Sequence, residues 1–293
     1  VLLENLIKLR YAGFTTQQLY RIFKRPIDVL SSDITPILHQ YITNQSPSSL
    51  RLKLQTFHTL SASNILQQLR HDNIFPITLL DEQFPTLLKE IYQPPLLLFC
   101  KGDLSYVTAS KYKLGIVGAR DCTLYSKKAV NYLLQEMKHA PLIIVSGLAK
   151  GTDALAHDYA LKYSLPTIGV LGFGHHYHYP SVTKSLRHTI EMNGRGLTIS
   201  EYPPMTPPAK FRFPERNRLI SGLSHGLLVT EAKEKSGALI TLDQALEHNR
   251  NVYVLPGDMF NKHTKGNMMR IKEGAEIVLS AADILKDLNT SIQ

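Results

Sequence analysis

The stretch Lys113-Leu114-Gly115-Ile116-Val117-Gly118-Ala119-Arg120 decides the reading of this chain. An apolar run ends in a glycine and a cation, and a helical pattern follows near 126–138. That order repeats to the end of the chain. Strand-like runs are Leu114–Val117, Leu142–Val145, Thr167–Leu171, Leu197–Ser200, Gly226–Thr230 and Asn251–Leu255, with further helical patterns near 152–163, 181–192, 215–224 and 237–248. Runs apolar on both faces, alternating with helices, predict an α/β fold: a mostly parallel sheet covered by helices. Such sheets bind ligands beyond the carboxyl ends of their strands, where the strand order switches.

Outward from this core, residues 1–70 read as a small all-helical domain. Leu2, Leu3, Leu6, Ile7 and Leu9 fall on helical spacing and Gly13 supplies a stop. Thr15-Thr16 caps a second helix that Pro26 ends, and further helical patterns cover about 34–43 and 48–70. Short helices and tight turns suggest a helix-hairpin-helix or SAM-like module. Residues 71–105 are apolar but punctuated by Pro76, Pro85 and Pro94-Pro95, and read as the edge of a second domain spanning 71–293.

Of the net charge of +9, residues 106–293 carry 23 Lys/Arg against 16 Asp/Glu, a surplus of seven that favours a polyanionic partner. Cys100 and Cys122 form no CxxC pattern, which argues against a disulfide framework or zinc ribbon and fits a reducing compartment. No apolar run is long enough to span a bilayer and no signal sequence is visible, so the chain reads as cytoplasmic, without a membrane partner.

Four strand ends run into turns suited to phosphate. Gly118, Ala119 and Arg120 form the first. In the second, Ser146-Gly147-Leu148-Ala149-Lys150-Gly151-Thr152-Asp153, small residues before a helix predict outward N–H groups, an anion nest, with Asp153 as the helix cap. Leu171–Gly174 is the third. The fourth, Glu231–Ala238, opens a helix with Ser236 as cap and Gly237 behind it. None matches GxGxxG or the P-loop. His175, His176 and His178 cluster without a pattern that completes a tetrahedral site, so no metal is expected. Ser146 lacks a nucleophile elbow, and His157 reads as a packing histidine. No catalytic residues and no cofactor are assigned.

Lys210-Phe211-Arg212-Phe213-Pro214-Glu215-Arg216-Asn217-Arg218 packs four cations and two rings into nine residues. Cations attract phosphates and rings stack on bases. Alternatively, Phe211 and Phe213 are core residues of an extended edge segment. In a helix opening at Pro214, Arg216 shares a face with Leu219, Ile220 and Leu223 and points inward; Arg218 lies roughly opposite.

In motif order the chain resembles the DprA/Smf family of DNA-processing proteins. The resemblance rests on Gly115-Ile-Val-Gly-Ala-Arg120, Ser146-Gly-Leu-Ala-Lys-Gly-Thr-Asp-Ala-Leu-Ala-His157, Gly169-Val-Leu-Gly-Phe-Gly174, Ser200-Glu-Tyr-Pro203, Phe211-Arg-Phe-Pro-Glu-Arg-Asn-Arg-Leu-Ile-Ser-Gly222, Ser236-Gly-Ala-Leu-Ile-Thr241, Pro256-Gly257 and Gly266-Asn-Met-Met-Arg-Ile-Lys-Glu-Gly-Ala275. It implies an extended Rossmann-like domain that binds single-stranded DNA, works as a homodimer, and loads the RecA recombinase during natural transformation without being an enzyme. Carried over, Arg120, Lys210, Phe213, Arg216, Asn217 and Arg218 contact DNA, while Gly118, Ala119, Ser146, Gly147, Ser236 and Gly237 shape a phosphate pocket.

Two positions depart from the family pattern: Ala119 stands where serine is usual, and His176 where an acidic residue is frequent. The winged-helix domain that many members carry after this region is expected to be absent. Ile277, Val278, Leu279, Ile284, Leu285 and Leu288 either close the core or form the dimer face. A rival reading is a nucleotide-binding enzyme or sensor resembling nucleoside monophosphate hydrolases, although Ser236-Gly237-Ala238 after Glu231 stands where those have a PGGxGT-type turn and a supporting glutamate.

Overall fold

The computed structural model describes residues 2–23, 28, 29, 31 and 33–291, with side chains described through Asp287; Pro26 and the side chain of Leu288 lie outside the described residues. Among the described residues five α-helices come first: α1 (Leu2–Tyr11), α2 (Thr16–Ile22), α3 (Thr35–Tyr41), α4 (Ser48–Thr59) and α5 (Ala62–His71). Gly13, at φ +90°, turns the chain after α1. Thr15 caps α2 in a reciprocal box with Gln18. The continuous pattern over 48–70 is two helices, because Leu60 is extended and the Ser61 hydroxyl accepts the Asn64 N–H to start a new one.

The remaining elements are β1 (Phe75–Thr78), α6 (Thr86–Lys89), β2 (Leu97–Gly102), α7 (Ser105–Thr108), β3 (Tyr112–Val117), α8 (Leu124–Glu136), β4 (Leu142–Ser146), α9 (Thr152–Lys162), β5 (Thr167–Leu171), α10 (Lys184–Met192), β6 (Gly196–Ser200), α11 (Arg212–Leu223), β7 (Gly226–Val229), α12 (Gly237–Glu247), β8 (Asn251–Val254), α13 (Lys265–Lys272), β9 (Glu276–Ile277) and α14 (Ala282–Ser291). One nine-stranded sheet runs β1-β2-β6-β5-β4-β3-β7-β8-β9. The seven strands from β6 to β9 are parallel; β1 and β2 add an antiparallel edge.

Each parallel strand is apolar because both faces are covered. One face of the sheet packs Leu219, Leu223, Leu239 and Leu242 of α11 and α12 over Val117, Val145 and Val229. The other packs Val130, Leu134, Ala156 and Ala160 of α8 and α9 over Leu114, Ile116 and Ile144. In β2 alternate residues part company. Leu98 and Cys100 join the first core, while Leu97 and Phe99 turn to the N-terminal helices and pack with Leu9, Phe14 and Leu69. The helical layer therefore grows directly from the sheet edge.

The chain lays β3 to β6 in one direction, then returns to place β7 on the other side of β3 and continues to β8 and β9. The order therefore switches between β3 and β7, and the loops beginning at Gly118 and Thr230 face each other there. At the far edge, Val278 and Ile284 are buried in the core and Leu285 packs against it, whereas Ile277 and Leu279 are 40% and 75% exposed. The apolar C-terminal residues thus divide between core and surface.

Candidate nucleic-acid interface

The switch point is closed by hydroxyls. Thr152 and Thr230 share a hydrogen bond of 3.0 Å, the Ser126 and Thr230 hydroxyls share another of 3.0 Å, and Ser126 donates to Glu231 at 2.8 Å. The other side of the network is Thr123, which gives its N–H and hydroxyl to Glu231 at 2.8 and 2.7 Å. Both Glu231 oxygens are therefore occupied, and the carboxylate is buried. A Cβ on Gly118 would collide with the Thr152 and Thr230 hydroxyls, so glycine here is a packing requirement. Ala119 accepts the Thr152 N–H at 3.1 Å through its carbonyl. Arg120 follows, exposed, with its guanidinium 5.7 Å from the centre of the Phe213 ring.

The expected nest after β4 is occupied from within. The Asp153 carboxylate accepts the N–H groups of Gly147 and Ala149 at 3.1 and 3.4 Å. Asp153 is not the helix cap: it lies one residue inside α9, and Gly151, at φ +82°, takes the cap position. Ser146 is buried and donates to the Ile116 carbonyl at 2.6 Å. These donors serve the protein's own groups. Ser236 caps α12 through the Ala238 N–H at 3.2 Å, and Gly237 is exposed with open space around it.

Arg216 points inward, as its spacing from Leu219, Ile220 and Leu223 requires. It is buried and donates to the carbonyls of Gly147 and Val170, pinning the ends of β4 and β5. Burial pulls the Arg216 guanidinium down and pushes the Asp153 carboxyl up, while each opposes the other's shift through its charge.

Residues 210–213 are not extended. Residues 210 and 211 form a turn, α11 starts at Arg212, and Pro214 sits in its first turn, where no intrahelical N–H is needed. The two rings separate. Phe211 is 61% exposed, whereas Phe213 is half-buried over Gly172, with ring centres 6.5 Å from Phe173 and 5.6 Å from Tyr179. Lys210 is exposed and Asn217 half-buried. Arg218 points elsewhere: it pairs with Glu201 at 2.6 Å and donates to the Gln93 carbonyl at 3.0 Å.

Glu201 also accepts the Thr16 hydroxyl, and its backbone carbonyl takes Arg10 at 2.6 Å. Burial raises the Glu201 carboxyl, but the Arg218 and Arg10 charges outweigh it and hold the group below its usual range. In the histidine run, His175 is buried beside the Thr198 carbonyl, and His176 reaches Asp72 of the helical layer at 2.8 Å. His157 is buried against the Thr167 hydroxyl, and desolvation pushes it down to about 3.

The structure therefore brings Gly118, Ala119, Arg120 and Phe213 together at the carboxyl edge. It places Arg216 beneath that edge and turns Arg218 towards the N-terminal helices. Two further features lie at this edge. Arg212 lies 5.4 Å from the Tyr202 ring and 5.2 Å from Phe211, and Tyr179 stands half exposed beside Phe213. The ring-rich runs around both positions carried the signal, but not the proximity.

Residues 75–289 match the family model described as DNA recombination-mediator protein A. The DNA processing protein DprA of Bacillus subtilis is 39% identical over 87% of this chain and 84% of its own length. That of Streptococcus pneumoniae is 34% identical over 97% of both. The X-ray structure of the pneumococcal protein is similar with a TM-score of 0.85 at 33% identity, over 97% of this chain and 96% of that one. The protein from Helicobacter pylori, solved for its single-stranded DNA binding mode, gives a TM-score of 0.65 at 29% identity, over 73% of this chain and 96% of that one. The chain belongs to the DNA recombination-mediator protein A family, known as DprA or Smf.

Proposed function

We propose that this protein binds single-stranded DNA across the carboxyl edge of the sheet, protects it and loads the RecA recombinase onto it during natural transformation. Arg120 and Lys210 hold phosphates, and a base stacks on Phe213. The observation that carries this reading is the exposed Arg120 guanidinium 5.7 Å from the half-buried Phe213 ring, a cation and an aromatic platform side by side at the carboxyl edge. Arg216 acts from below by fixing the strand ends, and Asn217 lies on the same helix turn. The H. pylori relative's single-stranded DNA binding supports the reading.

The protein acts in the cytoplasm by binding alone, without a catalysed covalent step. It works as a homodimer, joined through the sheet edge at β9, where Ile277 and Leu279 are exposed. A gel-shift titration with oligo-dT and duplex DNA tests the core of this reading: a preference for oligo-dT is expected, and equal or absent binding overturns it. Faster recombinase nucleation on coated single strands checks the loading step.

A further inference from the structure

The loop after β8 has no part in the site described above. It carries Met259 and Phe260, 76% and 89% exposed. This loop is braced rather than slack. Asp258 accepts the Phe260 N–H at 2.8 Å, Asn261 accepts the His263 N–H at 2.9 Å, and the Thr264 N–H returns to the Asn261 carbonyl at 3.1 Å. Tyr125 donates to the Pro256 carbonyl at 2.7 Å, and the buried Asn267 amide bridges the Thr230 and Leu255 carbonyls, each at 2.9 Å. The turn thus holds an aromatic ring in water at a large cost in exposed apolar surface.

Its surroundings are cationic. Lys233, Lys235 and Lys262 are exposed, and Lys265 pairs with Glu234 at 3.0 Å across the neighbouring loop. The loop lies at the same carboxyl edge as Phe213, which sits past the end of β5. From β5 through β4, β3 and β7 to β8 is four strand spacings, about 19 Å. Even at the ~3.4 Å per nucleotide of a stacked strand, no more than about six nucleotides cross that distance, and fewer when the strand is stretched.

We infer that Phe260 is a second base-stacking platform, so that single-stranded DNA runs from Phe213 across the switch point to the loop after β8. The inference rests on the single-stranded DNA reading and extends its track. An exposed ring among cations suits an unpaired strand, whose bases offer a π face and whose backbone seeks positive charge.

The test uses the full chain and fluorescence anisotropy with oligo-dT of about four and about ten nucleotides, spanning the low end of known module footprints. Phe260→Ala is expected to weaken the longer oligonucleotide on the order of tenfold and to change the shorter by no more than about twofold. Phe213→Ala should weaken both. If Phe260→Ala leaves the longer oligonucleotide unchanged while Phe213→Ala weakens both, the extension is overturned and the DNA site stands. If neither variant affects either length, the DNA site itself falls. If Phe260→Ala spares DNA affinity but slows recombinase loading, the ring faces a protein and the proposal is wrong.

Discussion

Arg218 and Glu201 meet at 2.6 Å in a buried junction that also holds Thr16 and Arg10. A cation that the family resemblance assigned to DNA thus ties α11 to the N-terminal helices. Removing it leaves a buried carboxylate short of its main partner. Arg218→Ala should therefore destabilise the fold by about 3 kcal/mol, whereas Arg120→Ala, on an exposed loop, should stay within about 0.5 kcal/mol. Urea midpoints of the two variants check the contrast.

Acid should weaken the fold in two steps of the same sign. Burial depresses His157 to about 3 and His225 and His248 to about 4, from the ordinary 6.5. The unfolded chain thus binds more protons between about 6.5 and these values, so stability is full above about 6.5 and falls as pH drops through that window. Below it, Glu201, whose folded value is depressed, loses its stabilising charge as it protonates. His157→Gln should remove up to about 1.4 kcal/mol per pH unit from the first slope. Denaturation midpoints between pH 4 and pH 7 measure it.

The motif glycines should not behave alike. A Cβ at Gly147 would strike the Arg216 guanidinium, so Gly147→Ala is expected to cost about 1–3 kcal/mol. Gly237 opens α12 with nothing nearby, and Gly237→Ala should be neutral or stabilise by about 0.5–1 kcal/mol. Thermal unfolding separates the two.

The parallel strands were legible because each is an apolar run closed by a turn, and the inward face of Arg216 followed from helical spacing alone. What the sequence hid depends on distant partners. Residues 71–105 read only as the edge of the second domain; Phe75–Thr78 is the edge strand β1, where the N–H that Pro76 lacks is tolerated. The nest after β4 looked open for a local reason: Asp153 read as the helix cap, whereas Gly151 caps α9 and the Asp153 carboxylate turns back onto the Gly147 and Ala149 N–H groups. Arg218 looked free because Glu201 approaches from the end of β6, and Thr16 lies 185 residues earlier.

The central claim is that Arg120 and Lys210 hold phosphates beside Phe213. The most direct test is the affinity of oligo-dT measured by anisotropy across a salt series, for the parent protein, Arg120→Glu and Lys210→Glu. Each variant should bind more weakly, with the slope of log affinity against log salt flattened by about 0.7 for each lost phosphate contact. Unchanged affinity and slope in both variants would contradict the site.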